Sequence, residues 1–212
     1  KGATWKPSRD DLVDGAFALL LVVVGGVGWS SVYVGASGPT LAVWGGLAGT
    51  VAAWLAATRR LSALATLGVA GAAFVLASGP ATPDAALAGV LPGPGTPDAL
   101  LDGLVEAWSD LITTVLPIGV GSGLGVVPYT CGFLGGGVAM LVARRTESTV
   151  WPAAAPLAAL VVGLVYGDFV PVSVAVQGGG FALGSVGWGA VRANRPRRAL
   201  DGEIYWPRIV AG

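Results

Sequence analysis

Apolar residues along this chain gather in six runs, separated by short polar or basic stretches. Each run approaches the length that crosses about 30 Å of hydrocarbon at about 1.5 Å per helical residue. The runs are Ala16 to Val34, Leu41 to Ala57, Leu61 to Ser78, Val126 to Val142, Trp151 to Tyr166, and Phe169 to Val191. The pattern predicts an all-α polytopic membrane protein with six transmembrane helices. Between the third and fourth runs lies a segment of different character, residues 79–125. Its first part, SGPATPDAALAGVLPGPGTPD, is rich in Pro and Gly and predicts turns.

Its second part predicts one amphipathic helix over 98–116. Leu100, Leu101, Leu104, Val105, Trp108, Leu111, Ile112 and Val115 recur at helical spacing, with Asp98, Asp102, Glu106, Ser109 and Asp110 on the other face. Pro97 and Asp98 are start signals and Pro117 is a stop. A helix this charged does not span. It is expected to lie on the membrane or to pack on the bundle, and its acidic polar face favours docking on protein. Leu101, Leu104, Trp108, Leu111 and Ile112 are the candidate residues for docking a partner or a further domain.

Charge then sets an expected orientation. No Lys, Arg or His occurs between Leu61 and Ala143, although Asp84, Asp98, Asp102, Glu106 and Asp110 fall there. Basic residues collect on the cytoplasmic side of membrane helices. One arrangement satisfies them all: residues 1–15 cytoplasmic, a membrane domain over 16–191 with 79–125 outside, and a cytoplasmic basic tail over 192–212. The protein is thus expected in the cell membrane with both termini cytoplasmic. The chain begins without Met and ends in DGEIYWPRIVAG as though it continued, so a longer native chain is expected.

Composition agrees with a bilayer environment. Mean hydropathy is +0.74, and 11% of residues are charged, against about a quarter in soluble domains. The 35 glycines have no strict period and suit close helix packing. Gly45 and Gly49, Gly132 and Gly136, and Gly180 and Gly184 are the candidate packing pairs. A lone Cys131 and the absence of His leave no internal disulfide and no Cys-His nucleophile pair. Cys131 reads as a small apolar core residue.

Candidate chemistry is sparse. Asp14 and Asp168 stand at predicted helix ends, within reach of water, and no ionisable group is expected near the middle of a span. Gln177, Thr50, Thr66, Ser30, Ser31 and Thr130 are polar groups that helix-to-helix bonds can satisfy. The row Asp98, Asp102, Glu106 lies along one helix face, whereas acid–base catalysis needs carboxyls converging on a pocket. Trp5, Trp29, Trp151 and Trp206 suit interfacial anchoring, with Trp44 and Trp54 near the ends of the second run. There is no phosphate loop, metal-ligand cluster or nucleic-acid patch, and RANRPRR reads as a stop at the membrane face. No catalytic, cofactor or metal residue is assigned.

The stretch GVLPGPGTPDALLDGLVEAWSDLITTVLPIG followed by VVPYTCGFLGGGVAMLVARRTESTVWPAAAPLAALVVGLVYG resembles the N-terminal membrane domain of actinobacterial TgpA-type transglutaminase-like proteins. The shared layout is an outer amphipathic helix ending near a proline, then a helix closed by a basic pair, a proline-bearing loop and an Ala/Leu/Pro-rich helix. It covers residues 15 to 195. The resemblance implies an extracytoplasmic transglutaminase-like domain with a Cys-His-Asp triad, work on the cell envelope, and a cytoplasmic MoxR-type ATPase partner. None of the triad residues has a counterpart here. The expected role is therefore to anchor and position such a domain, without catalysis by these residues. Two alternatives stay open. One is a structural subunit of a larger membrane complex, contacting other membrane subunits. The other is a small-solute or lipid transporter subunit with a midplane cavity lined by Gln177, Tyr129 and the triplets Gly135–Gly137 and Gly178–Gly180.

Overall fold

The computed structural model describes residues 7–119, 123–166 and 174–195. Trp5, Asp168, Trp206, the start of the sixth run at Phe169 and the tail beyond residue 195 lie outside the described residues. Within them the protein is all-helical, with eight α-helices and no strands. These are α1 (Arg9–Gly26), α2 (Ser37–Thr58), α3 (Ala63–Leu76), α4 (Thr96–Val105), α5 (Ala107–Thr113), α6 (Val126–Arg145), α7 (Ala154–Tyr166) and α8 (Val174–Ala193). A 3-10 turn, Val27–Ser31, prolongs α1.

The described parts of all six apolar runs fall mainly on helices. Three are long and apolar enough to cross a membrane: Arg9–Ser31, Ser37–Thr58 and Val126–Arg145. Ala63–Leu76 and Trp151–Tyr166 are apolar but shorter. At 14 residues, α3 extends about 21 Å, less than a hydrocarbon core. α8 has 20 residues but contains six glycines, Gln177 and Arg192, which dilute its apolar character.

The centre is the α2–α6 pair, packed backbone against backbone. A Cβ on Gly45 or Gly49 would strike the carbonyl oxygen of Tyr129 or Phe133, and one on Gly132 the carbonyl of Ala42. On Gly136 it would come within 2.5 Å of the Gly46 carbonyl oxygen. Glycine is required here because helix axes this close leave no room for a side chain. α1 and α7 pack on α6, α8 on α1, and α3 on α2. Gly180 and Gly184 of α8 lie against α1, where a Cβ on Gly184 would come within 2.9 Å of Leu21 Cδ2 and one on Gly180 within 3.7 Å of Val24.

Helix ends are set by local chemistry. Ser8 caps α1 in a reciprocal box: Asp11 N donates to Ser8 Oγ at 3.1 Å and Ser8 N donates to Asp11 Oδ2 at 3.0 Å. α2 ends in a Schellman turn, with Leu61 N donating to Ala56 O at 3.1 Å and Arg60 N to Ala57 O at 3.0 Å. That turn puts Arg60 at φ +50°, a left-handed conformation usually left to glycine. It reverses the chain within a few residues, and Ser62 caps α3 by accepting from Ala65 N.

The segment between α3 and α6 forms a cap over one end of the bundle. The single helix expected over 98–116 is in fact two, broken at Glu106. The Glu106 carbonyl accepts from Ser109 N at 3.0 Å, Asp110 N at 3.1 Å and Ser109 Oγ at 2.7 Å. The break serves two separate seats. α4 lays Gly103 on Val126, where an added Cβ would approach the valine side chain to 2.7 Å. α5 sets Ala107 and Leu111 into the cluster of Trp29, Tyr33 and Val127.

Candidate functional site

The two ends of the bundle carry the polar chemistry. At one end the start of α1 meets the C-terminal ends of α2, α6 and α8. Asp11 and Asp14 stand three residues apart and so share a helix face; they are 7% and 2% exposed. Arg144 donates to Asp11 Oδ1 through Nη1, and Trp54 Nε1 donates to Asp11 Oδ2 at 3.4 Å.

Asp14 is held by three partners. Arg195 grips both its oxygens, Nη1 to Oδ2 and Nη2 to Oδ1, each at 2.9 Å. Arg192 Nη1 donates to Oδ2 at 3.1 Å, and Trp188 Nε1 to Oδ1 at 2.8 Å. Arg192 also closes the C-terminus of α6. It donates to Ala143 O at 3.1 and 3.2 Å, to Thr146 O at 2.8 Å and to Ser148 O at 3.1 Å. The Ala143 and Thr146 carbonyls are among those α6 leaves unpaired at its end, and a cation there also suits the helix dipole. One guanidinium thus joins α1, α6, α8 and the loop before α7.

Expecting Asp14 at a water-reached helix end therefore needs correction, because α1 begins five residues earlier than Asp14 and α8 covers it. A buried charge persists only when paired and hydrogen-bonded, and both conditions hold here. The sequence offered a signal: Asp11 and Asp14, like Arg192 and Arg195, repeat at i, i+3 and lie on the same expected side. Hydrogen bonding to Asp14 is the main cause raising the Arg195 pKa above its ordinary value; its own partial desolvation opposes this, and the Asp14, Asp10 and Asp11 charges add to it. A carboxylate occupied in this way has no free oxygen for proton transfer. Among the described residues no group of His, Cys, Asp or Glu could hold a metal ion.

The opposite end is neutral inside and acidic outside. Tyr33 OH donates to Leu124 O at 2.6 Å, and Val34 N and Ile118 N exchange bonds with Ile118 O and Val32 O, both at 2.9 Å. Trp29 lies edge-on to Tyr33 and stacks on Tyr166, which meets Trp108 edge-on.

Of the candidate docking residues, Leu111 is buried and Leu104 and Trp108 are half-buried, facing the bundle. Leu101 and Ile112 face outward, with Val105 and Val115 beside them. Asp98, Asp102, Glu106 and Asp110 are exposed on the adjoining face. The five candidates therefore divide between inner packing and an outer apolar edge.

The residues named for a midplane cavity are not brought together. Tyr129 donates to Phe74 O at 2.7 Å and packs with Phe74 and Phe133 on the α3 side of α6. Gln177 donates to Gly25 O at 3.4 Å between α8 and α1. Both glycine triplets lie within unbroken helix. Comparison with protein-family models, with curated proteins and with solved structures finds no match.

Proposed function

We propose that this chain is a non-catalytic membrane scaffold, inserted through six helices with both termini cytoplasmic. It anchors and positions an extracytoplasmic transglutaminase- or protease-like domain over its cap. The observation that carries the reading is the contrast between a closed interior and an unfinished cap. Among the described residues the interior is glycine-packed helix backbone closed at one end by the Asp11 and Asp14 ion pairs. The cap leaves Leu101, Val105, Ile112 and Val115 at 61%, 76%, 74% and 88% exposure beside a row of carboxylates, an edge of the kind that marks a contact surface.

Two measurements test it. In a Cys131→Ala background, Ala86→Cys or Pro94→Cys reacts with a membrane-impermeant maleimide in intact cells, and Glu147→Cys does not; the reverse pattern overturns the orientation. The intact mass of the native product is expected well above the 21.0 kDa of this chain, with a Cys-His-Asp domain in the added part. A native mass near that value removes the anchor role. The same exposed edge also fits a structural subunit of a larger complex, which partners co-purifying at fixed stoichiometry would favour.

A further inference from the structure

We propose that the hairpin over residues 87–91 dips into the outer interface of the bilayer and completes the apolar crossing that α3 begins. The proposal rests on insertion of the bundle in a membrane, which a label on α6 reads separately.

After the turn at Arg59 and Arg60, α3 extends about 21 Å and so falls about 9 Å short of a hydrocarbon core. Its outward face is apolar, with Leu64, Leu67 and Leu76 each more than half exposed. The chain beyond stays almost uncharged: between Arg60 and Asp98 the only charged residue is Asp84. The hairpin lies against the far end of this helix. An added Cβ on Gly79, just past α3, would come within 1.9 Å of the Val90 carbonyl oxygen. There Leu87, Val90 and Leu91 are again more than half exposed.

The hairpin holds one shape. Leu87 N donates to Leu91 O at 2.8 Å and Leu91 N to Leu87 O at 3.1 Å, and Ala88 and Gly89 close the turn at φ +54° and +70°. Its base is tied by the buried Thr96, whose Oγ1 accepts from Gly93 N at 2.9 Å and donates to Ala85 O at 3.3 Å. Backbone paired within the segment is what a position at the lipid boundary needs. A protein contact surrounds its apolar centre with a polar rim, yet residues 85–97 hold no ionisable side chain. The outer edge of α4 and α5 differs, since carboxylates stand beside its exposed aliphatics. Lipid is the occupant that fits both the missing charge and the missing length, with no preference for a headgroup.

Fluorescence quenching in phosphatidylcholine vesicles tests the proposal. Leu91→Cys, Pro94→Cys and Leu134→Cys, each in a Cys131→Ala background, carry a nitrobenzoxadiazole label. The Leu91 label is expected to lie about 5–10 Å into the boundary of headgroups and acyl chains. Its emission shifts to the blue, a nitroxide high on the acyl chain quenches it, and iodide on both faces of the membrane does not. The Pro94 label gives the reverse. Leu134, exposed at the middle of α6, is quenched by a nitroxide deep in the chain; failure there removes insertion itself and the proposal with it. Leu87→Asp returns the Leu91 label to iodide without loss of helix content. Iodide quenching at Leu91 equal to that at Pro94 overturns the proposal and shows the bilayer thinning around α3 instead. A Leu91 label shielded from both quenchers also overturns it, because protein then covers the hairpin. So does lipid quenching that persists in Leu87→Asp.

Discussion

The two ends of the bundle solve the same problem with different chemistry. Each must hold helix termini together where the chain leaves the apolar interior. The ion-paired end does it with charge: Asp11 and Asp14 bind arginines from two other helices, and Arg192 also occupies the final carbonyls of α6. The capped end does it with neutral bonds and rings, through Tyr33 on the Leu124 carbonyl and the Trp29–Tyr166–Trp108 stack. Charged contacts gain more per bond but leave a large penalty when one partner is lost. Neutral contacts fail more gently. The ion-paired end is therefore the brittle one.

Breaking the pair at Asp14 gives the largest expected effect. Asp14→Ala leaves Arg192 buried without its counter-ion and costs about 3–5 kcal/mol, read by equilibrium unfolding in mild detergent. The double variant Asp14→Ala, Arg192→Met costs less than that sum, because the stranded charge goes with its partner. A loss below about 1 kcal/mol for Asp14→Ala would place the group in water and erase the contrast between the ends. At the cap, Tyr33→Phe leaves the Leu124 carbonyl only the longer bond from Val127 N at 3.4 Å and costs about 0.5–1.5 kcal/mol in the same assay.

Arg195→Gln sharpens the comparison within the charged end. Arg195 is more exposed than Arg192, and Asp14 keeps its other two partners, so the cost is about 1 kcal/mol or less. The pH sign follows from the raised Arg195 pKa. The contact stabilises fully below the ordinary arginine range and is lost only as pH rises through the folded value. The difference between the unaltered chain and Arg195→Gln is thus flat from about pH 6 to pH 9; a decline across that window would contradict the assignment. The smallest effect on stability is at the outer edge. Ile112→Ser changes unfolding by about 0.5 kcal/mol or less; under the proposed anchoring role it also weakens retention of an extracytoplasmic domain, measured by crosslinking.

Much of the helical layout was legible because apolar runs and their breaks are local properties. Run ends at Arg59 and Arg144 fall at helix ends, and the glycine pairs of α2 and α6 meet as facing surfaces. Two features were not read from the sequence, one of them despite a matched spacing of acidic and basic pairs. The break at Glu106 lies inside a continuous amphipathic pattern, and it arises because α4 and α5 each seat on a different part of the bundle. The burial of Asp14 depends on α8, whose contribution comes 178 residues later in the chain.

The sequence by itself determined the helical class, the apolar runs, the division of basic from acidic ends and the glycine positions where backbones could meet. Each of these depends on residues within a turn or two of one another. The tertiary structure alone decided which charges were buried and which face of the cap was left uncovered. Those outcomes depend on what a distant helix brings to the same few ångströms, where pairing, desolvation and exposure are properties of neighbours in space.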